Sequence, residues 1–315
     1  KACMKLLSIP GNPVPDGAVV GSVRTPDGAE LRFARWDSTS AKGTVCVFGG
    51  RGEFIEKYFE TIGELRRRGF AVAAMDWRGQ GHSSRQLPDP RKGHVESFSD
   101  YETDLETFMR QVVLPDCPPP HYALTHSMGG AVVLRAAHAG NRWFERAVLV
   151  APMIGFPRAW IAHPLRLAVG ALRRAGLGAN YVPGGNIDGG RTSRFAGNPL
   201  TSDPKRYARN AAIVTHDPTL GIGGPTGAWL DAAFDTIAAF QAAGYPEKID
   251  QPTLMLAAGA DSIVSPAAIG RFAARLPAGS HRLIEGARHE ILQEQDSVRA
   301  QLWTAFDAFV PGSSI

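Results

Sequence analysis

The 315 residues contain only three cysteines, Cys3, Cys46 and Cys117, an odd number at spacings that match neither a disulfide framework nor a zinc site. A cystine-stapled extracellular scaffold is set aside, and a reducing compartment is favoured: the cytoplasm, or the periphery of the inner membrane. No apolar run approaches the roughly 20 residues that a membrane-spanning helix requires, which excludes an integral membrane protein. The opening KACMKLLSIPGNPVPDG is too short in its apolar part for a secretory signal, although a start at Lys leaves a removed presequence open. Repeats and low-complexity tracts are missing. Charge of one sign is scarce too: the net charge is +4, carried more by Arg than by Lys, and the longest basic run is Arg66-Arg67-Arg68. That is too mild and too scattered for nucleic acid, and it weakly favours a negatively charged surface or substrate. The loop VFGGRGEFIEKY has neither G-x-G-x-x-G nor a Gly-Lys-Ser/Thr ending, so nucleotide binding is disfavoured. His94 and Glu96 lack a third ligand at coordinating spacing; no metal and no cofactor are expected.

What is present is an ordinary globular composition, 44% hydrophobic and 20% charged, with 35 Gly and 23 Pro supplying turns. The length suits two domains, or one large α/β domain carrying an insertion. Buried-strand runs alternate with helical stretches: strand 44–48, helix 58–68, strand 71–75, helix 101–113, strand 122–125, helix 129–139, strand 147–150. The rhythm breaks over 153–236, where Gly/Pro clusters (VPGGN, IDGG, GIGGPTG) separate helical patches and no strand is convincing. It resumes with strand 253–257, helix 266–275, strand 281–284 and helix 297–309. This pattern predicts an α/β fold with a mostly parallel central sheet flanked by helices. Residues 1–152 and 237–315 form its two parts, and 153–236 form a helical cap over one end of the sheet.

The segment HYALTHSMGGAVVLRAAHA holds the chemistry. A strand ends at His126, and Gly129-Gly130-Ala131 open a helix, so Ser127 occupies a sharp strand-to-helix turn that thrusts its hydroxyl clear of the backbone. Thr125 stands where G-x-S-x-G has its first Gly. A serine capping a helix is the structural alternative, and on the segment alone the nucleophile is already the preferred reading. A serine nucleophile needs a base oriented by an acid, in the chain order Ser, Asp/Glu, His. His289, in LIEGARHEIL, follows the last strand, and Asp261, in LMLAAGADSIVSP, follows the strand before it. Both fall at carboxyl ends of parallel strands, where α/β sites are built. Each alone reads as readily as a turn residue or a structural histidine; the three together, in order, point to acyl transfer. An oxyanion needs two backbone N–H groups, for which Met128 and, in the glycine loop after strand 44–48, Arg51 are the candidates.

The sequence resembles α/β-hydrolases of the monoacylglycerol lipase and bacterial lysophospholipase group, classed with the serine aminopeptidases. The resemblance runs through GRGEFIEKY, MDWRGQGHSSR, DPRKGHVESFSDYETDL, HSMGG, TSDPKRYARN, HDPTLGIGGPTGAWL and GARHEILQEQD. It implies Ser127 as nucleophile, Asp261 as acid, His289 as base, and the Arg51 and Met128 amides as oxyanion hole. Thr125 departs from the group's pattern, and so does Gly49, where many relatives have His. Members act on monoacyl lipids, so a serine hydrolase of lysophospholipase or monoacylglycerol lipase type is expected. The alternatives are a carboxylesterase for small esters, an acyltransferase using the same acyl-enzyme, and a non-catalytic binding protein.

An acyl chain needs an apolar slot, and Trp160, Ile161, Leu165, Leu167, Val169 and Leu172 recur at near-helical spacing with Arg166, Arg173 and Arg174 between them. Packing of the cap on its own core is the first reading of this face; contact with an anionic membrane surface, which it would also suit, is the second. Structural roles are expected elsewhere. Asp76 and Arg78 would pair within a turn, His126 would pack below the nucleophile, and Glu53 would either orient the oxyanion loop or be solvated.

Overall fold

The central strands form where β-branched and apolar residues predominate. Thr44–Phe48 (β3), Ala71–Met75 (β4), His121–His126 (β5) and Thr253–Ala258 (β7) are buried at every position, as strands covered on both faces must be. The computed structural model describes residues 5–40, 42–157, 159–182 and 194–313, the side chains of 159–163 excepted. Its eight-stranded sheet is completed by Ala18–Arg24 (β1), Glu30–Trp36 (β2), Arg146–Val150 (β6) and Gly279–Ile284 (β8), in the order β1-β2-β4-β3-β5-β6-β7-β8. From β4 to β8 all neighbours are parallel, while β2 runs antiparallel to both β1 and β4. The antiparallel β1–β2 hairpin is an element that the strand reading from Thr44 onward does not contain.

Helices cover both faces. They are Phe59–Arg67 (α1), Phe98–Phe108 (α2, running through a π turn at Met109–Val113 into α3, Leu114–Asp116), Met128–His138 (α4), Ala159–Arg174 (α5), Pro204–His216 (α6), Gly227–Gln241 (α7), Pro266–Ala273 (α8) and Asp296–Phe309 (α9). Because strand side chains alternate between faces, Val45 and Val47 of β3 enter one core with Phe59, Ile62 and Leu65 of α1 and Leu302 and Phe306 of α9. Cys46 and Phe48 enter the other, with Leu105 and Phe108 of α2, Val132 of α4 and Phe272 of α8.

Between β6 and β7 lie α5, α6 and α7, and among the described residues no strand intervenes; Tyr181 and Thr226 form one isolated bridge. α7 joins the core through Trp229, Phe234, Ile237 and Phe240. It starts on a cap, with Thr226 Oγ1 accepting from the Trp229 N–H at 3.3 Å. Among the described residues, no helix is long and apolar enough to cross a membrane.

The parallel register aligns the carboxyl ends of the strands that matter. Phe48 pairs with Thr125, His126 with Val150, and Ala258 with Ile284. The loops that follow β3, β5, β7 and β8 therefore open on one edge of the sheet.

Candidate active site

β5 must become α4 within one residue, and Ser127 makes the turn in the left-handed half of conformational space, with φ 49° and ψ −113°. A non-glycine residue in such a conformation stores on the order of 1–3 kcal/mol, which the surroundings must offset. They do so through the backbone. The Ser127 N–H donates to Val150 O at 3.0 Å, and the Ser127 carbonyl accepts from Gly130 N at 3.1 Å and Met153 N at 3.1 Å. The helix start is so close to β3 that a Cβ on Gly129 would fall 2.7 Å from the carbonyl oxygens of Gly49 and Phe48. On Gly130 it would fall 2.9 Å from Pro152 Cβ and 3.0 Å from Thr125 Oγ1. Both positions need glycine for space.

Asp261, in the turn after β7, accepts through Oδ1 from the amides of Ile263 (2.8 Å) and Val264 (3.0 Å), and its Oδ2 lies 2.8 Å from His289 Nδ1. Burial pushes this carboxyl up, but the hydrogen bond and charge of His289, with the two amides, outweigh it and hold Asp261 below the usual carboxylate range. A carboxylate can only accept, so His289 Nδ1 carries the proton and Nε2 is left as acceptor for Ser127 Oγ–H, 3.1 Å away. The structure thus brings Ser127, His289 and Asp261 into one hydrogen-bonded chain.

Residues 49–53 border the serine. The Gly50 N–H is taken by Glu53 Oε2 and the Gly52 N–H by Gln80 Oε1 at 3.1 Å, while Gln80 Nε2 donates to Gly50 O (2.7 Å) and Glu53 O (2.9 Å). The loop is tied on both sides of Arg51, and a Cβ on Gly50 would lie 3.1 Å from Ser127 Cβ. Met128, in the first turn of α4, has one of the amides that a helix start leaves without an intrahelical acceptor. Gly49, the other departure, lies where a Cβ would meet Glu53 Cβ and Tyr58 Cε2 at 3.2 Å.

Beneath the site is a buried ionic cluster. Glu53 accepts from Lys57 Nζ (2.7 Å) and Tyr58 OH and faces His126 Nδ1 at 2.9 Å; Lys57 also reaches Glu290 at 2.6 Å. Glu53 is 5% exposed, so the solvated reading of this residue is wrong: its carboxylate has too many donors around it to stay in water. His126 does pack under the nucleophile. Lys57 and Glu290 were not singled out from the sequence, though the i,i+4 spacing of Glu53 and Lys57 was a signal. The expected Asp76–Arg78 pairing is corrected as well. Asp76 pairs with the buried Arg32, and Arg78 with Asp104 and Asp27, because Arg32 of the neighbouring β2 reaches Asp76 across the sheet.

Of the proposed lipid-contact residues, Leu165 and Leu172 are half-buried on α5, Leu165 packing against the main core, and Trp160 has its side chain outside the described residues. Val169 is buried, while Leu167 is 63% exposed. Arg166 and Arg173 are paired with Asp235 and Asp231 of α7, so part of the positive face is neutralised. His94 bonds Thr226 and Glu96. Among the described residues, no group of three or more His, Cys, Asp or Glu could hold a metal ion.

A family model described as serine aminopeptidase, S33 matches residues 39–296. The chain belongs to this hydrolase family. Lysophospholipase L2 of Escherichia coli strain K12 is 35% identical over 283 residues, covering 87% of this chain and 82% of that protein. Monoglyceride lipase of Rattus norvegicus is 31% identical over 132 residues, 41% of each chain. Among solved structures, a soluble variant of monoglyceride lipase from Saccharomyces cerevisiae, in complex with a substrate analog, superposes with a TM-score of 0.73 at 21% identity, covering 94% of this chain and 97% of that one. A thermostable carboxyl esterase from Bacillus coagulans gives 0.72 at 19%, covering 95% and 99%. The serine aminopeptidase-family chain therefore has the α/β-hydrolase fold and is a hydrolase; its relatives support action on lipid esters.

Proposed function

We propose that this enzyme hydrolyses the single carboxylic ester of monoacyl lipids, as a lysophospholipase or monoacylglycerol lipase, through Ser127, His289 and Asp261. The observation that carries the reading is the chain Ser127 Oγ–His289 Nε2–Asp261, at 3.1 and 2.8 Å, on a strained turn at the sheet edge. In this reading His289 takes the Ser127 proton as Oγ attacks the ester carbonyl, and Asp261 fixes the imidazole tautomer and stabilises the imidazolium. The amides of Met128 and Arg51 receive the oxyanion, the former at the positive end of α4. The tetrahedral intermediate collapses with breakage of the C–O bond, and the glycerol-bearing alkoxide leaves with the proton from His289. Water, deprotonated by the same imidazole, then attacks the acyl-enzyme and releases the fatty acid and Ser127. Residues 153–236 would act as the cap over this edge, with α5 and α7 bounding the acyl slot and touching the membrane at most through exposed residues such as Leu167.

The test is hydrolysis of lysophosphatidylcholine, monoacylglycerol and short p-nitrophenyl esters by wild type and Ser127→Ala. Long-chain activity that falls by about a million-fold in the variant is expected. Activity confined to short esters would keep the mechanism and overturn the lipid assignment. Activity surviving the substitution would overturn the nucleophile.

A further inference from the structure

The loop that carries the proposed base follows β8, the last strand of the sheet, and five of the six residues of β8 are exposed. Ser127 and Asp261 follow β5 and β7, each of which has a strand on both sides. The loop of His289 has a neighbouring strand on one side only. Its ring must nevertheless keep 2.8 Å to Asp261 and 3.1 Å to Ser127. A displacement of about 1 Å at a catalytic group can cost roughly a hundredfold in rate, so the open side of this loop needs a support.

Residues 198–203, from the insertion between β6 and β7, supply it. The amides of His289 and Glu290 donate to the carbonyls of Pro199 (3.4 Å) and Leu200 (2.8 Å). Arg288 Nη1 donates to the carbonyls of Asn198 (2.9 Å) and Thr201 (3.0 Å). The turn is stiff in itself, since Asn198 Oδ1 accepts from the amides of Leu200 and Thr201 at 2.9 and 3.0 Å. Glu294 then joins the two segments. Its Oε1 accepts from the N–H of Arg288, one residue before the base, at 2.8 Å. Its Oε2 accepts from the Ser202 N–H at 3.0 Å and from the Ser202 hydroxyl. Glu294 is fully buried, and among the described residues amides and a hydroxyl, not a cation, hold its carboxylate. A carboxylate is costly to bury in this way, and surface packing alone gives no reason for one here.

We infer that Glu294 is a positioning residue for the reaction: through the Arg288 amide and Ser202 it braces the base loop against residues 198–203, and so holds the His289 ring on Asp261 and Ser127. This rests on the reading of His289 as the base. It gives a role to the segments TSDPKRYARN and GARHEILQEQD, which the triad alone leaves largely unused. It also divides the insertion. A movement that carried 198–203 away would withdraw the base, so these residues belong to the floor of the site, and any opening for substrate must leave them in place. Glu294 touches no reacting atom. Its replacement should therefore slow the chemistry and leave the apparent affinity for substrate nearly unchanged.

The experiment measures kcat, KM and melting temperature on a p-nitrophenyl ester for wild type, Glu294→Ala, Glu294→Gln and Ser202→Ala. Arg68→Gln, which breaks the pair with Asp307 at the opposite edge of the sheet, is the stability control. In Glu294→Ala, kcat should fall by about tenfold to a hundredfold while KM stays within about twofold. Glu294→Gln keeps the shape and one acceptor oxygen, so it should recover part of that loss. Arg68→Gln should melt earlier with kcat intact. Glu294 variants that also melt earlier with kcat intact would make the residue a structural tie only and overturn the proposal. His289→Ala separates the two readings: if it stays active, the base assignment falls and the proposal with it. If it is inactive while Glu294→Ala is fully active, the proposal alone falls. Should the Glu294 variants fail to fold, Ser202→Ala, at a half-buried position, carries the test. There the downfield NMR signal of the proton between His289 Nδ1 and Asp261 should shift or broaden together with a smaller fall in kcat, and an unchanged signal with unchanged kcat would overturn the brace.

Discussion

His126 places Nδ1 2.9 Å from Oε2 of Glu53, and both side chains are buried. The other ring nitrogen, Nε2, lies 3.1 Å from the carbonyl oxygen of His289. A carboxylate and a carbonyl can only accept, so both nitrogens of His126 must donate, and the ring is an imidazolium. Its charge belongs to a balanced set, in which Lys57 bridges Glu53 and Glu290 while His126 meets Glu53. Glu53 also holds the Gly50 amide. One buried ion pair thereby connects the loop around Arg51 to the backbone of the proposed base.

Titration of His126 gives the first prediction. Burial alone would lower its pKa, but Glu53 outweighs it and the pKa is raised above the ordinary 6.5. A folded-state pKa above the unfolded one contributes stability that is complete below about pH 6.5 and is lost as pH rises through the folded value. Glu53 has the opposite sign: burial opposes its ionisation, but His126 and Lys57 hold it well below the ordinary 4.5, so its contribution is lost only as pH falls through that lowered value. Urea unfolding from pH 6 to 10 should show stability declining in wild type and flatter in His126→Gln. Nitrogen-detected NMR should find both ring nitrogens of His126 protonated at pH 7. A neutral ring at that pH would remove the ionic link.

Asp261→Asn is expected to lower kcat by about ten-thousand-fold while leaving the fold intact. The asparagine can keep an oxygen on the Ile263 and Val264 amides, so the turn after β7 should survive. Its amide nitrogen would face His289 Nδ1 and favour the tautomer with the proton on Nε2, which cannot accept from Ser127. Unchanged circular dichroism with lost turnover is the expected pair of results. Lost turnover with lost helicity would instead make Asp261 a fold residue.

The approach of α4 to β3 makes Gly129→Ala a severe change for one methyl group. Its Cβ would meet two backbone oxygens, of Gly49 and Phe48, at 2.7 Å, and backbone cannot swing aside as a side chain can. A loss of about 1–3 kcal/mol is expected, from overpacking. Activity should fall more than stability does, because the atoms displaced lead into the loop around Arg51. Thermal melts together with kcat on a p-nitrophenyl ester would check this, and a variant of full activity would mean that the loop has more play than the packing implies.

The order Ser127, Asp261, His289 was legible because parallel register places every loop after a strand on one edge, so sequence order along the strands becomes proximity in space. The central parallel strands were legible for a related reason, since burial on both faces leaves largely apolar runs, as in β3, β4 and β7. Where a buried element carries charge, that logic fails. β2 reads ELRFARW, and Arg32 within it is fully buried, paired to Glu56 and Asp76. An arginine in a short run reads as solvent-facing, so the hairpin was missed and Asp76 was assigned the nearer Arg78. The ionic cluster under the site was hidden likewise: Lys57 and Glu290 are far apart in sequence, and nothing local tells a buried ion pair from two surface charges.

Thr125 stands in place of the glycine usual before the nucleophile, and its hydroxyl makes the last prediction. The residue is fully buried, and its Oγ1 has no hydrogen-bond partner among the described residues. An enclosed hydroxyl left unpaired costs about 1–3 kcal/mol. Thr125→Val replaces it by a methyl of similar shape, directed toward Gly130, which has no Cβ to collide with it. The variant should be more stable by about 1 kcal/mol, with Ser127 still active. Thr125→Gly should move the other way, since it empties the same space and loosens a central strand. Urea midpoints at constant m-value separate the two cases. A valine variant less stable than wild type would show that the hydroxyl has a partner, such as a buried water, and that threonine at this position bonds the turn as well as filling it.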